Sequence, residues 1–235
     1  KGIKIYTTQT SPAQAVVELS LGLLLDLVRK ITLQNNDVKI AIIDYGLGNL
    51  RSVKRGFERS GGDVIVTSDI DIISHADGVV LPGVGAFSEG MENAEPLKKS
   101  IIEIGKSGIP MFGICLGMQM LLTESEEAEC VGQGDVQGLD LIPGKNIRIR
   151  NEKVPHMGWN ELKIVQDHPI VKGVDGLHAY FVHSYHAVPK DSSAVVSTTE
   201  YGGEFASMIA RENIFGTQFH PEKSGETGLK ILHNF

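Results

Sequence analysis

Between Ile109 and Gln119 the chain reads Ile-Pro-Met-Phe-Gly-Ile-Cys-Leu-Gly-Met-Gln: an apolar run that ends in Gly113-Ile114-Cys115-Leu116-Gly117 and passes into a helix-forming stretch. Glycine-x-nucleophile-x-glycine constrains a fold strongly, because a nucleophile on a sharp turn needs a strand to enter it and a helix to leave it. The glycines are required because such a turn is too tight for side chains beside the nucleophile. The N-terminus of the following helix favours a thiolate. A lone cysteine in a glycine-rich turn is more often just a small buried apolar group. Catalysis therefore requires the rest of the chain to supply a base and oxyanion donors.

From residue 38 short β-rich runs alternate with helical stretches. Strands are expected over 39–44, 63–67, 78–81 and 110–114, and helices over 50–59, 87–106 (entered by Ser88, interrupted near Pro96) and 116–125. This alternation predicts an α/β fold, a mainly parallel, doubly wound sheet flanked by helices with right-handed crossovers. After residue 130 short alternating segments (145–150, 161–165, 179–187, 194–200, 205–211 and 214–219) suggest hairpins and mixed pairing, and a last helix begins near Gly225.

The first strand and its loop, Asp44-Tyr45-Gly46-Leu47-Gly48-Asn49-Leu50-Arg51, with Asp69 about 20 positions on, imitate a dinucleotide fingerprint. Arg51 occupies the place of the third glycine, where a bulky side chain opposes close helix–strand packing. Cofactor binding is rejected on that ground, and no cofactor is expected.

A formal net charge of −7 argues against general nucleic-acid binding, which needs clustered Lys and Arg. Two cysteines, Cys115 and Cys130, make a disulfide framework unexpected and fit a reducing, cytoplasmic setting. The sequence has neither C-x-x-C nor H-E-x-x-H, so no metal site is expected. The apolar run 15–28 carries Glu18 and Asp26, is too short to span a bilayer, and lacks a signal-peptide cleavage pattern.

Leu81-Pro82-Gly83-Val84-Gly85-Ala86-Phe87 follows an apolar strand, and paired glycines let backbone N–H groups face an anion. Gly83, Val84 and Gly85, with the N–H of Leu116, are the candidate oxyanion hole. Near the end stands Gly216-Thr217-Gln218-Phe219-His220-Pro221-Glu222. On an extended chain residues i and i+2 project to the same side, so Glu222 is expected to reach His220. An acid on one ring nitrogen frees the other to take the thiol proton. Gln119 lies one helical turn past Cys115, on the same face.

Gly-x-Cys-x-Gly and the terminal Gln-Phe-His-Pro-Glu resemble the class I (triad) glutamine amidotransferases, whose fold is flavodoxin-like, and the likeness covers nearly 200 residues. Four stretches are similar to one subfamily, the glutaminase subunits of imidazole glycerol phosphate synthase. They are Asp44–Asn49, Pro82–Phe87, Pro155-His156-Met157-Gly158-Trp159-Asn160 and Tyr180-Phe181-Val182-His183-Ser184-Tyr185. The resemblance implies a Cys115–His220–Glu222 triad that hydrolyses glutamine. It implies that Gly85, Gln119, Glu127, His183, Ser184 and Tyr185 hold the substrate. It also implies ammonia transfer to a cyclase with a (β/α)₈ barrel, in a heterodimer docked through Pro155, His156, Met157, Trp159 and Asn160. Alternatives are a triad amidotransferase serving another synthase, a stand-alone cysteine hydrolase, and an NAD-binding fragment.

The last alternative comes from residues 1–37, read as an appendage to a domain over 38–235. A strand is expected over 3–6 and an amphipathic helix over 12–31, capped by Ser11 and striped with Leu19, Leu23, Leu24, Leu27 and Ile31. This segment resembles a D-2-hydroxyacid (phosphoglycerate) dehydrogenase fragment over about 30 residues.

Overall fold

The computed structural model describes residues 38–127 and 136–235. The strand and helix expected within 1–37, and Cys130, lie outside the described residues.

The first half alternates β1 (Lys39–Ile43), α1 (Leu50–Arg59), β2 (Asp63–Thr67), α2 (Ile70–Ile73), β3 (Gly78–Leu81), α3 (Phe87–Ala94), α4 (Lys98–Lys106), β4 (Met111–Ile114) and α5 (Leu116–Met120). The second half is rich in strands: β5 (Glu124–Ser125), β6 (Gly144–Arg148), β7 (His156–Glu161), β8 (Lys163–Ile164), β9 (His178–His183), β10 (Tyr185–Pro189), β11 (Val195–Glu200), β12 (Glu204–Arg211) and β13 (Ile214–Thr217). Helix α6 (Gly225–Asn234) closes it.

The main sheet has the order β2-β1-β3-β4-β13-β12-β11-β8. The first five strands in that order run parallel, and β12, β11 and β8 extend it by antiparallel pairing. Strands β1, β3 and β4 read as apolar runs because both faces are covered. Ile40, Ile42, Val80, Phe112 and Ile114 enter one core, while Ala41, Ile43, Val79, Leu81 and Met111 enter the other. Burying each of the larger of these side chains is worth about 1.5–3 kcal/mol. Winding reverses between β1 and β3, and ligands in such sheets settle beyond the strands' carboxyl ends at that switch point. The loops 44–49 and 82–86 flank that point, and Cys115, past β4, and His220, past β13, follow along the same edge of the sheet.

Local differences from expectation have identifiable causes. Helix α5 stops at Met120 rather than near 125, since the carbonyls of Met120, Leu121 and Leu122 accept the N–H groups of Leu139, Leu141 and Asp140. The chain then pairs as β5 with β6. Ser88 is not a cap: α3 starts at Phe87, whose N–H donates to the Glu127 carboxylate at 2.8 Å. The single run expected over 179–187 breaks at Ser184, with β9 pairing to β7 and β10 to β6.

Candidate active site

Cys115 sits between β4 and α5 with φ 54° and ψ −107°, outside the regions that side-chain-bearing residues favour. Holding it there costs on the order of 1–3 kcal/mol, offset by the packing around it. Both flanking glycines are needed for lack of space. A Cβ on Gly113 would stand 2.7 Å from the Met118 nitrogen, and one on Gly117 only 1.8 Å from the Leu81 carbonyl oxygen. Without those atoms the first turn of α5 settles onto the ends of β3 and β4, and the Cys115 N–H donates to Thr217 O at 2.7 Å. The Leu116 N–H, in the first turn, has no acceptor within its own helix.

Strand β13 lies beside β4, with Ile114 opposite Thr217, so the residues just past β13 come to the thiol. His220 Nδ1 meets Glu222 Oε1 at 2.9 Å, and the two side chains are 2% and 1% exposed. They meet across a tight 3₁₀ turn, Pro221–Lys223, that starts at His220, rather than along an extended strand as the spacing suggested. The His220 N–H donates to Tyr180 O at 2.9 Å and its carbonyl accepts from Ser224 Oγ at 2.7 Å, fixing the backbone. Burial pushes the imidazole pKa down. Hydrogen bonds and charges from Cys115 and Glu222 outweigh that and raise it to about 9. With Nδ1 held by the carboxylate, Nε2 is the nitrogen left for the thiol. Gln218 Nε2 donates towards Cys115 Sγ at 3.9 Å.

The thiol opens on a cleft of about 270 Å³. Its wall contains all six of the expected substrate-holding groups, Gly85, Gln119, Glu127, His183, Ser184 and Tyr185, with Val84, Leu116 and His220. Gly83 stands behind the wall, against the start of α5. Gln119 is a buried group whose Nε2 donates to Tyr185 O at 2.9 Å and to Gln218 Oε1 at 3.2 Å. Glu127 has a second task in capping α3, and burial raises its pKa despite the Phe87 N–H. Burial pushes the pKa of His183 down to about 3, so the ring is neutral. Its Nδ1 lies 2.8 Å from Tyr185 O, an acceptor, so Nδ1 carries the proton, and its Nε2 stands 3.0 Å from His156 Nδ1.

The stretch 155–160 splits by strand alternation. Met157 and Trp159 are 63% and 54% exposed. His156 is a correction: it is 1% exposed and stacks on Tyr201 at 3.8 Å, so it supports His183 from within rather than facing a partner. Asn160 also turns inward, towards His156 Nε2 at 2.8 Å and Glu200 O at 3.3 Å, and Pro155 lines the cleft. Asp69, the acid of the imitated fingerprint, caps α2 by accepting from the Asp71 N–H. Gln218 and Lys223 beside His220, Val182 on the cleft wall, and Tyr45 also stand at the site, although the sequence did not single them out for a role. All four lie inside or beside the motifs already singled out, Tyr45 within Asp44–Asn49. Among the described residues no group of three His, Cys, Asp or Glu is placed to hold a metal, and no helix is long and apolar enough to cross a membrane.

The family model for glutamine amidotransferase class-I matches residues 41–235. The imidazole glycerol phosphate synthase subunit HisH of Natronomonas pharaonis is 64% identical over 200 residues, 84% of this chain and 93% of that protein. The protein of the same name from Methanothermobacter thermautotrophicus is 52% identical over 197 residues, 83% of this chain and 96% of that one. Among solved structures, PurLQS from Thermotoga maritima superposes with a TM-score of 0.63 at 18% identity, covering 85% of this chain and 97% of that one. A glutamine amidotransferase from Thermotoga maritima gives 0.57 at 21%, covering 82% and 79%. At those identities the superpositions speak for the fold, which is the flavodoxin-like α/β fold. The family match runs through every strand that carries the cleft, from β1 to β13, and with relatives this similar the chain belongs to the class-I glutamine amidotransferases.

Proposed function

We propose that this chain is the glutaminase subunit of an imidazole glycerol phosphate synthase, in which Cys115, His220 and Glu222 hydrolyse glutamine and the ammonia passes to a partner cyclase. The observation that carries the reading is His220, buried between Glu222 and Cys115 and biased towards its protonated form by both.

In this mechanism the Cys115 thiolate attacks the side-chain amide carbon of glutamine, forming a C–S bond. The resulting oxyanion is met by the Leu116 N–H and donors of the Gly83–Gly85 loop; one such donor is worth roughly 10²–10³ in rate elsewhere. His220 gives its Nε2 proton to the amide nitrogen as the C–N bond breaks, releasing ammonia and leaving a thioester. His220 then takes a proton from water, whose oxygen attacks the thioester; the C–S bond breaks and glutamate leaves. Glu222 orients the ring and stabilises the imidazolium. Gly85, Gln119, Glu127, His183, Ser184 and Tyr185 hold the substrate, with Gln119 and His183 both tied to the Tyr185 carbonyl.

Ammonia released into water would be protonated and lost as a nucleophile. The partner in this reading is a (β/α)₈-barrel cyclase in a heterodimer, seated on Met157 and Trp159, whose exposed apolar side chains suit an interface anchor. The complex would make imidazole glycerol phosphate and aminoimidazole carboxamide ribotide, in histidine biosynthesis. An unpaired, buried Cys115 thiol fits a reducing cytoplasm. Residues 1–37 would be an appendage to the amidotransferase domain over 38–235.

The test is glutamine hydrolysis measured with and without the cognate cyclase and its ribonucleotide substrate. Strong stimulation is expected, and equal rates would count against the coupled synthase. Cys115→Ala should abolish hydrolysis while leaving the circular-dichroism spectrum unchanged; retained hydrolysis would sink the nucleophile assignment.

A further inference from the structure

Tyr45 is a buried hydroxyl that the mechanism above does not use. It stands in the loop after β1, 5% exposed, and its Oη donates to the Pro82 carbonyl at 2.6 Å, with Met120 Sδ 3.6 Å away. Pro82 opens the loop that continues into Gly83, Val84 and Gly85, of which the last two wall the cleft. A planar trans peptide points its C=O and its N–H in opposite directions. A hydroxyl that anchors the Pro82 oxygen therefore also sets the direction of the Gly83 N–H and the plane from which the loop continues.

The fit around this peptide is close on both sides. A Cβ on Gly83 would lie 2.9 Å from Tyr45 Oη, 2.7 Å from Gly117 N and 2.8 Å from Leu116 Cβ. The loop is thus held between Tyr45 and the first turn of α5, which carries the other oxyanion donor. Gly48, three residues past Tyr45, lies against the Pro82 ring, where its own Cβ would come 3.2 Å from Pro82 Cβ. One loop thus grips Pro82 twice, at the carbonyl and at the ring. Burial, and then the nearby Cys115 charge, raise the Tyr45 pKa, so the hydroxyl keeps the proton with which it holds the carbonyl.

We propose that Tyr45 is a positioning residue for oxyanion stabilisation: its hydroxyl holds the Pro82 carbonyl and so aims the donors of the Gly83–Gly85 loop at the cleft. This rests on the reading of that loop given above. It separates Tyr45 from an ordinary core tyrosine, because a loosened loop weakens the transition state more than substrate binding.

The experiment compares Tyr45→Phe with the parent chain, both assembled with the cognate cyclase. The ring and its packing are kept and only the hydroxyl is removed. Expected are a fall in kcat for glutamine hydrolysis of about 10- to 100-fold, below the cost of deleting a donor outright, and a KM for glutamine within about 2-fold. Alkylation of Cys115 by iodoacetamide displaces iodide and builds no oxyanion, so its rate should stay within about 2-fold. Met120→Leu, which alters the other neighbour of the hydroxyl, should keep kcat within about 3-fold. An unchanged kcat in Tyr45→Phe overturns the proposal. So does a parallel fall in kcat and alkylation, which would place the effect on the thiol, or a raised KM with kcat intact. Retained hydrolysis in Cys115→Ala would instead overturn the underlying active-site reading.

Discussion

Replacing Glu222 by Gln tests the charge within the triad while keeping its shape. Oε1 can go on accepting the His220 Nδ1–H at 2.9 Å, and the new NH₂ takes the place of Oε2, which has no hydrogen-bond partner among the described residues. What is lost is the charge on the acceptor. Hydrogen bonds to charged groups exceed neutral ones by about 1–1.5 kcal/mol, which is about one pH unit in the imidazole titration. His220 stands at about 9 in the parent. The alkaline limb of kcat/KM, which reports the thiol–imidazole pair as a unit, should therefore move from near 9 towards about 8. At neutral pH kcat should fall on the order of 10²-fold, since orienting acids of this kind are worth up to about 10⁴. The assay is glutaminase activity of the cyclase complex across pH 6–10. The same pairing appears in stability. A folded pKa above the ordinary 6.5 stabilises fully below pH 6.5 and is lost as pH rises through 9. It amounts to an order of 3 kcal/mol, which Glu222→Gln should roughly halve in urea titrations at pH 6. An alkaline limb that does not move, whatever happens to kcat, would refute the electrostatic role and leave Glu222 a steric holder.

Other expectations can be checked directly. Gly117→Ala places a Cβ 1.8 Å from the Leu81 carbonyl oxygen, a backbone atom that cannot swing aside. It should cost more than about 3 kcal/mol in denaturant titrations and abolish hydrolysis, whereas a parent-like midpoint would contradict the packing described for the turn. Trp159→Ala removes a half-exposed ring and should leave the melting temperature within about 2 °C. Its affinity for the cyclase should drop at least about 30-fold, and an unchanged Kd would move the docking surface elsewhere.

The first half of the fold was readable because local and global signals agree there. The apolar runs of β1, β3 and β4 and the glycine pattern at Cys115 each demand the same strand–turn–helix unit. Cys115 and His220 were readable for the same reason, each standing just past a strand. What stayed hidden depends on contacts between distant segments. Strand β7, over His-Met-Gly-Trp-Asn-Glu, has little apolar alternation and is defined by its pairing with β9. Only that pairing shows that His156 turns inward to His183. The capping of α3 by Glu127, 40 residues away, leaves no local trace, and the nearby Ser88 suggested a cap of its own. Helix α5 stops early because the 138–142 segment takes its carbonyls, which no helix propensity anticipates.

The adjacency of β4 and β13 bears on how freely this sequence can drift. The spacing between the Cys115 turn and the strand that leads to His220 is one step between hydrogen-bonded strands, about 4.8 Å in any sheet whatever its side chains. A backbone bond from the Cys115 N–H to Thr217 O ties the turn to that strand, and Tyr180 O and Ser224 Oγ hold His220 beyond it. Substitutions in the two flanking cores can change volumes and rotamers without altering that spacing, because the backbone ladder has no side chain in it. Mutational tolerance should therefore be wide along the strand interiors and narrow at the few positions where backbone meets backbone, such as Gly113 and Gly117.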